Sequence, residues 1–330
     1  MTDLSVLAGK RVLVTGAGGF IGSHVTETLV RLGAKTRALV RYVSSGHAGF
    51  LDDSDVRQDI EIVRGDIRDA DSVFRAMQGV DIVLHLAALI AIPYSYEAPN
   101  SYVATNVTGT LNVLESARKL GTSRIVHTST SEVYGTAQFV PMTEAHPLVG
   151  QSPYSASKIG ADQLAHSYFC SFGTPVVTLR PFNTYGPRQS ARAVIPTVIS
   201  QALSGDQISL GSLRPTRDFN FVADTVDGFL RAAIYPAEGL TMHLGTGLSV
   251  SVGDVVERVS AIVGRKLHVH ADDDRLRPEN SEVMRLCADA SFAKSKLDWQ
   301  PQVSLDEGLK RTLDWISKHL SRYRPQSYAV

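Results

Sequence analysis

The chain has 330 residues, 43% of them hydrophobic, enough to bury the core of a large α/β fold or of two lobes. Its 33 basic and 33 acidic residues cancel, which excludes a basic footprint for nucleic acid or an anionic membrane and leaves any bound anion to be met locally. Two cysteines, Cys170 and Cys287, are too few for a disulfide framework and read as packed thiols of a reducing compartment rather than as a single bridge. The polar N-terminus and the lack of a membrane-length apolar run lead to the same expectation, a soluble cytoplasmic protein.

Arg11–Thr15 is a short apolar run of the kind buried on both faces of a parallel sheet, and it leads into Gly16-Ala-Gly-Gly-Phe-Ile-Gly22 and a helical pattern to Leu32. In such a turn Gly16 permits the sharp reversal, Gly19 lets a pyrophosphate approach the backbone, and Gly22 lets the helix lie close to the strand. Phe20 and Ile21 open that helix, whose free N–H groups and positive dipole end face the phosphates. The next strand, residues 35–40, ends at Arg41, where a cofactor with a bare ribose is usually held by an acidic side chain. A guanidinium matches a 2′-phosphate instead, so the sequence favours NADP over NAD.

Residues 60–66 form a third strand whose Asp66 and Ile67 would flank the adenine, and a helix follows over 70–77. A fourth strand, 81–88, ends in Leu86, Ala87 and Ala88, small enough at the last two positions for a cofactor to pass closely over the sheet. Asn106, a candidate for cofactor binding, and Thr110 fall on an amphipathic helix running to about Leu120, and 124–128 is a fifth strand. Strands alternating with helices of this length predict an α/β fold with a doubly wound parallel sheet, its ligands outside the carboxyl ends of the strands.

The fifth strand runs into Thr128-Ser-Thr-Ser-Glu-Val-Tyr-Gly135. Ser152 and Pro153 then read as a helix start, and Tyr154 and Lys158 lie four apart on one face of that helix. An ammonium beside a phenol favours the phenolate, so Tyr154 is a candidate base. With Thr130, Ser131 and Glu132 at the strand end, the set can oxidise an alcohol and then remove a neighbouring proton.

Beyond a strand at 175–180 the pattern changes. Residues 181–192, with Asn183, Tyr185 and Arg188, read as a loop too polar for the core. A helix near 195–203, a strand at 208–210, the segment 217–221, a helix from Ala223, a strand at 241–244 and helices at 252–263, 289–297 and 305–320 complete the chain. This predicts a dinucleotide-binding domain of residues 1–182 plus 221–244 and a smaller, discontinuous α/β lobe of 183–220 plus 245–330. Arg188, Arg217 and Arg277 fall in loop contexts of that lobe, where three arginines would suit a diphosphate. His268 and His270 alternate on a strand without a third ligand at suitable spacing, so no metal is expected.

Taken together, Thr15–Gly22, Asp66, His85-Leu-Ala-Ala88, Asn106-Val-Thr-Gly-Thr110, Ser129–Gly135, Tyr154-Ser-Ala-Ser-Lys158, Arg180-Pro-Phe-Asn183, Tyr185-Gly-Pro-Arg188 and Arg217-Asp-Phe219 resemble the extended short-chain dehydrogenase/reductase family, and in it the sugar-nucleotide enzymes. The resemblance covers nearly the whole chain. It implies a nucleoside-diphosphate sugar between the lobes, held by Asn183, Arg188, Arg217 and Arg277, and a homodimer built on paired helices. Glu132 stands where 4,6-dehydratases and nucleotide-sugar decarboxylases carry Glu and 4-epimerases usually a small or uncharged residue. The wording of 150–158 and 277–284 looks most like the GDP-N-acetylglucosamine 4,6-dehydratases of legionaminic-acid pathways. Ser131 stands where dTDP-glucose dehydratases usually carry Asp, so the acid for the departing hydroxyl is not named by the resemblance. The expectation is an internal redox cycle, with 4-epimerase and uronate decarboxylase as alternatives on the same fold.

Overall fold

The structure, a computed structural model, describes residues 3–323. Seven parallel strands form the central sheet: β1 (Arg11–Thr15), β2 (Lys35–Val40), β3 (Ile60–Arg64), β4 (Ile82–His85), β5 (Arg124–Thr128), β6 (Val176–Pro181) and, out of sequence, β10 (Thr241–Leu244). Their order is β10-β6-β5-β4-β1-β2-β3. The chain winds outward from β1 to β3, then resumes at β4 on the other side of β1, which opens a crevice at the carboxyl ends of β1 and β4. Helices cover both faces, so β4 and β6 are buried along their whole length and β1 at every residue after Arg11.

The flanking helices follow local signals. On α1 (Phe20–Arg31), Gly19 is the N-cap and supplies no side-chain bond. Asp69 caps α2 (Ala70–Met77) by accepting from the N–H groups of Asp71 and Ser72. Two short helices, α3 (Ile92–Glu97) and α4 (Pro99–Tyr102), precede α5 (Gly109–Leu120), which ends at Gly121 with φ 66°. The long α6 (Pro153–Phe172) starts on a reciprocal Ser152–Ser155 capping box with Pro153 in its first turn. Its Cys170 is exposed beside His166 rather than packed, while Cys287 is buried, and both are free.

Two expectations are corrected here. The helix carrying Asn106 is not uniform: residues Val103–Thr108 form a wider π-helical turn before α5. The Asn106 side chain turns inward there, donating to the Leu89 carbonyl and to Ser157 Oγ and accepting from the Leu89 N–H. The stretch 181–192 is not a plain loop either, because β7 (Asn183–Tyr185) pairs in parallel with β9 (Thr216–Phe221). Phe182 and Tyr185 are each 1% exposed, so two large rings outweigh the polar residues between them.

The rest of the chain adds α7 (Val194–Ser204), β8 (Gln207–Leu210), α8 (Val222–Ile234), β11 (Ser249–Ser251), α9 (Val252–Val263), β12 (His268–Ala271), α10 (Ser291–Leu297) and α11 (Leu305–Lys318). β11 extends β9 antiparallel, and β12 pairs with β8 in parallel. Buried Asp218 staples this region: its carboxylate accepts from the N–H groups of Thr246, Gly247 and Ala288 and from the Thr246 hydroxyl. No helix among the described residues is long and apolar enough to cross a membrane. His268 and His270 are exposed, and no group of three or more potential metal ligands occurs among the described residues.

Candidate active site

A cleft of about 1770 Å³ opens over the carboxyl ends of the central strands. Every residue singled out above for cofactor, catalysis or substrate lines it except Asn106. Asn106 lies behind the wall, where its bonds to Leu89 and Ser157 tie the loop after β4 to the helix carrying Tyr154.

At the β1 end the main chain does the shaping. A Cβ on Gly16 (φ +69°) would come within 2.9 Å of the Ala87 backbone, and one on Gly22 within 2.2 Å of the Gly16 carbonyl oxygen. A Cβ on Gly19 would meet only the Gly16 oxygen, at 3.3 Å, so that position is open towards the cleft. Phe20, Ile21 and Gly22 present the first turn of α1 to the same space. This cradle fits the pyrophosphate of a dinucleotide. Asp66 and Ile67 line its far end together with Leu86, Ala87 and Ala88. Asp66 is bound by the Arg68 side chain and N–H, which hold its carboxyl below the usual range, and exposed Arg41 is near enough to add to the effect.

At the centre, Thr130, Ser131 and Glu132 leave the end of β5 in a turn that Thr130 caps by accepting from the Glu132 N–H at 3.2 Å. Tyr154 and Lys158 face them from the first turns of α6. Lys158 Nζ donates to the Thr128 carbonyl at 2.5 Å, and burial pushes its ammonium down to about 8, with Asp162 pulling the other way. The phenol of Tyr154 departs from the sequence expectation. Burial raises it well above its ordinary value, and the facing Thr130 hydroxyl only partly offsets the rise. The negative charge of Glu132 adds to the rise.

The substrate end is built by side chains from distant segments. Arg217 is on strand β9, not in a loop, and is 7% exposed. It donates to the Thr216 carbonyl and to Glu282 Oε1 at 3.1 Å, and the charge of Glu132 also favours its guanidinium. Arg277 approaches the same Glu282 oxygen at 3.6 Å. Arg188 does not join this pair: it reaches back to α1, with Glu27 at 2.9 Å and Ser23 Oγ at 3.1 Å. The expected trio is therefore a pair at one end and a bridge between segments at the other. Asn183 lines the cleft with its amide oxygen buried and without a hydrogen-bond partner among the described residues.

Sequence reasoning missed part of the wall. The segment His47–Phe50 closes on the glycine turn, where a Cβ on Gly18 would lie 2.4 Å from the Ala48 oxygen. Phe50 meets Trp315 edge-on at 6.1 Å, and Trp315 and Tyr323 line the cleft. Gly46 and Gly49, both at positive φ, were the available signal for that turn; nothing local marks Trp315. Three carboxylates line the cleft among the described residues, Asp66, Glu132 and Glu282. Asp66 and Glu282 are paired with arginines, and Glu132 is the carboxylate of the turn that Thr130 caps.

Comparison with known proteins agrees with this geometry. The sequence profile of a family described as GDP-mannose 4,6 dehydratase matches residues 13–312. A dTDP-glucose 4,6-dehydratase of Streptomyces griseus is 35% identical over 323 residues, covering 95% of this chain and 96% of its own. A UDP-glucose 4-epimerase of Mycolicibacterium smegmatis is 33% identical over 313 residues, covering 93% and 98%. The crystal structure of DesIV, a dTDP-glucose 4,6-dehydratase from Streptomyces venezuelae with NAD bound, superposes with a TM-score of 0.86 at 31% identity, covering 96% of this chain and 99% of that one.

Proposed function

Because the chain belongs to the extended short-chain dehydrogenase/reductase family, among its nucleotide-sugar 4,6-dehydratases and epimerases, we propose that it is a nucleoside-diphosphate-hexose 4,6-dehydratase. What supports this reading is Glu132, a carboxylate that lines the same cleft as Tyr154 and Arg217 and whose charge acts on both. An epimerase needs only the redox pair; a dehydratase also needs a base for carbon 5. The neighbouring 4-epimerase sequence supports the second reading, in which the 4-ketone is reduced without loss of water.

A bound nicotinamide dinucleotide supplies a hydride acceptor that takes hydrogen from carbon 4 and gives it back at carbon 6. The glycine cradle of Gly16, Gly19 and Gly22 would hold its pyrophosphate, and Asp66 and Ile67 its adenosine. Exposed Arg41 supports NADP, against the NAD of the structural neighbour, and the ratio of the two dissociation constants decides between them. Tyr154 takes the proton of the 4-hydroxyl as the phenolate, a form that the Thr130 hydroxyl facing it and the Lys158 ammonium one turn behind favour and burial opposes. The 4-ketone acidifies the proton on carbon 5, which Glu132 removes, and the hydroxyl on carbon 6 departs as water with a proton from Glu132 or by way of Ser131. Arg217, Arg277 and Asn183, which line the cleft, would hold the diphosphate and nucleoside, while Arg188, after β7, is paired with Glu27 on α1.

The resemblance of 150–158 and 277–284 carries the choice of GDP-N-acetylglucosamine as substrate, the domain boundaries at 182, 221 and 244 follow the return of the chain to the sheet at β10, and a cytoplasmic homodimer completes the proposal. Glu132→Gln tests it. Incubated with GDP-N-acetylglucosamine or dTDP-glucose, the variant is expected to form the 4-keto sugar and reduced cofactor, absorbing near the nicotinamide band, and to lose dehydration by roughly 100-fold or more. A variant that still releases water at the wild-type rate removes Glu132 from the mechanism; a product of unchanged mass from the wild type selects the epimerase.

A further inference from the structure

The two halves of the proposed chemistry stand on different elements: Tyr154 and Lys158 on α6, and Thr130 to Glu132 on the turn after β5. Behind them runs a buried chain of hydrogen bonds whose direction follows from chemistry alone. The Asp289 carbonyl only accepts, so His243 Nδ1, 3.2 Å away, carries the imidazole proton. Burial pushes the His243 imidazolium down to about 3, so the ring is neutral. Nε2 is then an acceptor, and the Tyr134 hydroxyl donates to it at 2.5 Å. The same hydroxyl oxygen accepts from Arg180 at 2.6 Å. Arg180 donates through Nε and a second terminal nitrogen to Asp162 Oδ2, at 3.1 and 2.9 Å. Asp162 also accepts from Ser129 Oγ at 2.6 Å, and its other oxygen from His127 Nε2 at 3.1 Å.

Asp162 lies one turn beyond Lys158 on α6, Ser129 immediately before Thr130, and Tyr134 two residues after Glu132. The chain thus grips the Thr130–Glu132 turn on both sides and fastens it to the helix of the redox pair. Tyr134 and His243 are fully buried, and Asp162 and Arg180 nearly so, so water does not compete for these bonds. The Arg180 guanidinium also lies over the Tyr134 ring, 4.9 Å from its centre.

We infer that Tyr134 is a positioning residue that, through Arg180 and Asp162, holds Glu132 in register with Tyr154 and Lys158, so that its hydroxyl serves removal of the carbon-5 proton far more than oxidation at carbon 4. This rests on the dehydratase reading. Tyr134→Phe keeps the ring and deletes the two bonds of the hydroxyl.

The test is single turnover of the purified full chain, loaded with its dinucleotide, on GDP-N-acetylglucosamine and on dTDP-glucose. Absorbance of the reduced nicotinamide follows the first step, and solvent-deuterium uptake at carbon 5 follows the second. In Tyr134→Phe the first step is expected within about threefold of wild type and the second slower by about tenfold or more, with reduced cofactor accumulating and KM little changed. His243→Leu, which strands the Tyr134 hydroxyl from the other side, is expected to show the same selective loss, and His243→Gln, whose amide oxygen replaces Nε2 as acceptor, to restore the wild-type balance. Equal slowing of both steps, or of neither, in Tyr134→Phe and His243→Leu overturns the inference while leaving the dehydratase reading intact. A wild type that releases water from neither sugar overturns that reading and this inference with it.

Discussion

The two ends of the cleft are made in different ways. Around Gly16, Gly19 and Gly22 the wall is main chain, and one contiguous strand-turn-helix segment builds it. At the other end Asn183, Arg217, Arg277 and Glu282 come from separate segments and meet only because β9, β7 and the 277–282 turn are brought together. A surface of backbone tolerates any sequence that keeps its glycines, whereas a surface of charged side chains depends on partners far away in the chain.

Three experiments test that contrast. Asp218→Ala is expected to have the largest effect, because it removes the acceptor shared by three backbone N–H groups, of which that of Ala288 is buried. A loss of about 3–5 kcal/mol is anticipated, read by chemical denaturation, with Asp218→Asn retaining part of it. Gly22→Ala ranks next. Its new methyl group would stand 2.2 Å from the Gly16 oxygen, and since both sides are backbone the helix must shift, costing about 1–3 kcal/mol; dinucleotide affinity should fall with it, while nucleoside-diphosphate affinity at the other end holds. Equal losses at both ends would show that the two are not independent.

The smallest effect is a pH dependence. Lys158 is pushed down to about 8 from 10.5 by burial, so above pH 8 the unfolded chain binds more protons than the folded one. The lysine therefore adds stability as pH rises from about 8, opposed by the buried Cys287 thiol and Tyr154 phenol, whose unfolded forms ionise near 9 and 10. Below 8 the lysine is charged in both states and this gain is gone. Denaturation curves across that window should show the rise in wild type and its loss in Lys158→Met.

The contrast also explains what the sequence could reveal. The glycine turn, the Ser152–Pro153 helix start and the Tyr154/Lys158 spacing are local, and each is found where local rules put it. Arg188 could not be assigned this way, because its partner Glu27 lies 161 positions earlier. Tyr185 was hidden in a polar stretch whose strand character comes only from pairing with β9. The lowering expected for Tyr154 from Lys158 was overridden by burial, a quantity no spacing records. Trp315 and Tyr323 reach the cleft through tertiary packing of the last helix and the residues beyond it.

The late strand β10 has a further consequence. It arrives after the chain has already laid down β7, β8 and β9, and it covers the outer backbone of β6 from Thr178 to Pro181. Cut at residue 182, the protein would leave that row of carbonyl and amide groups bare, a template for another molecule's strand. The nucleotide-gripping half is thus not portable: a chimera that borrows it must carry the chain through Leu244, or else trade solubility for brevity.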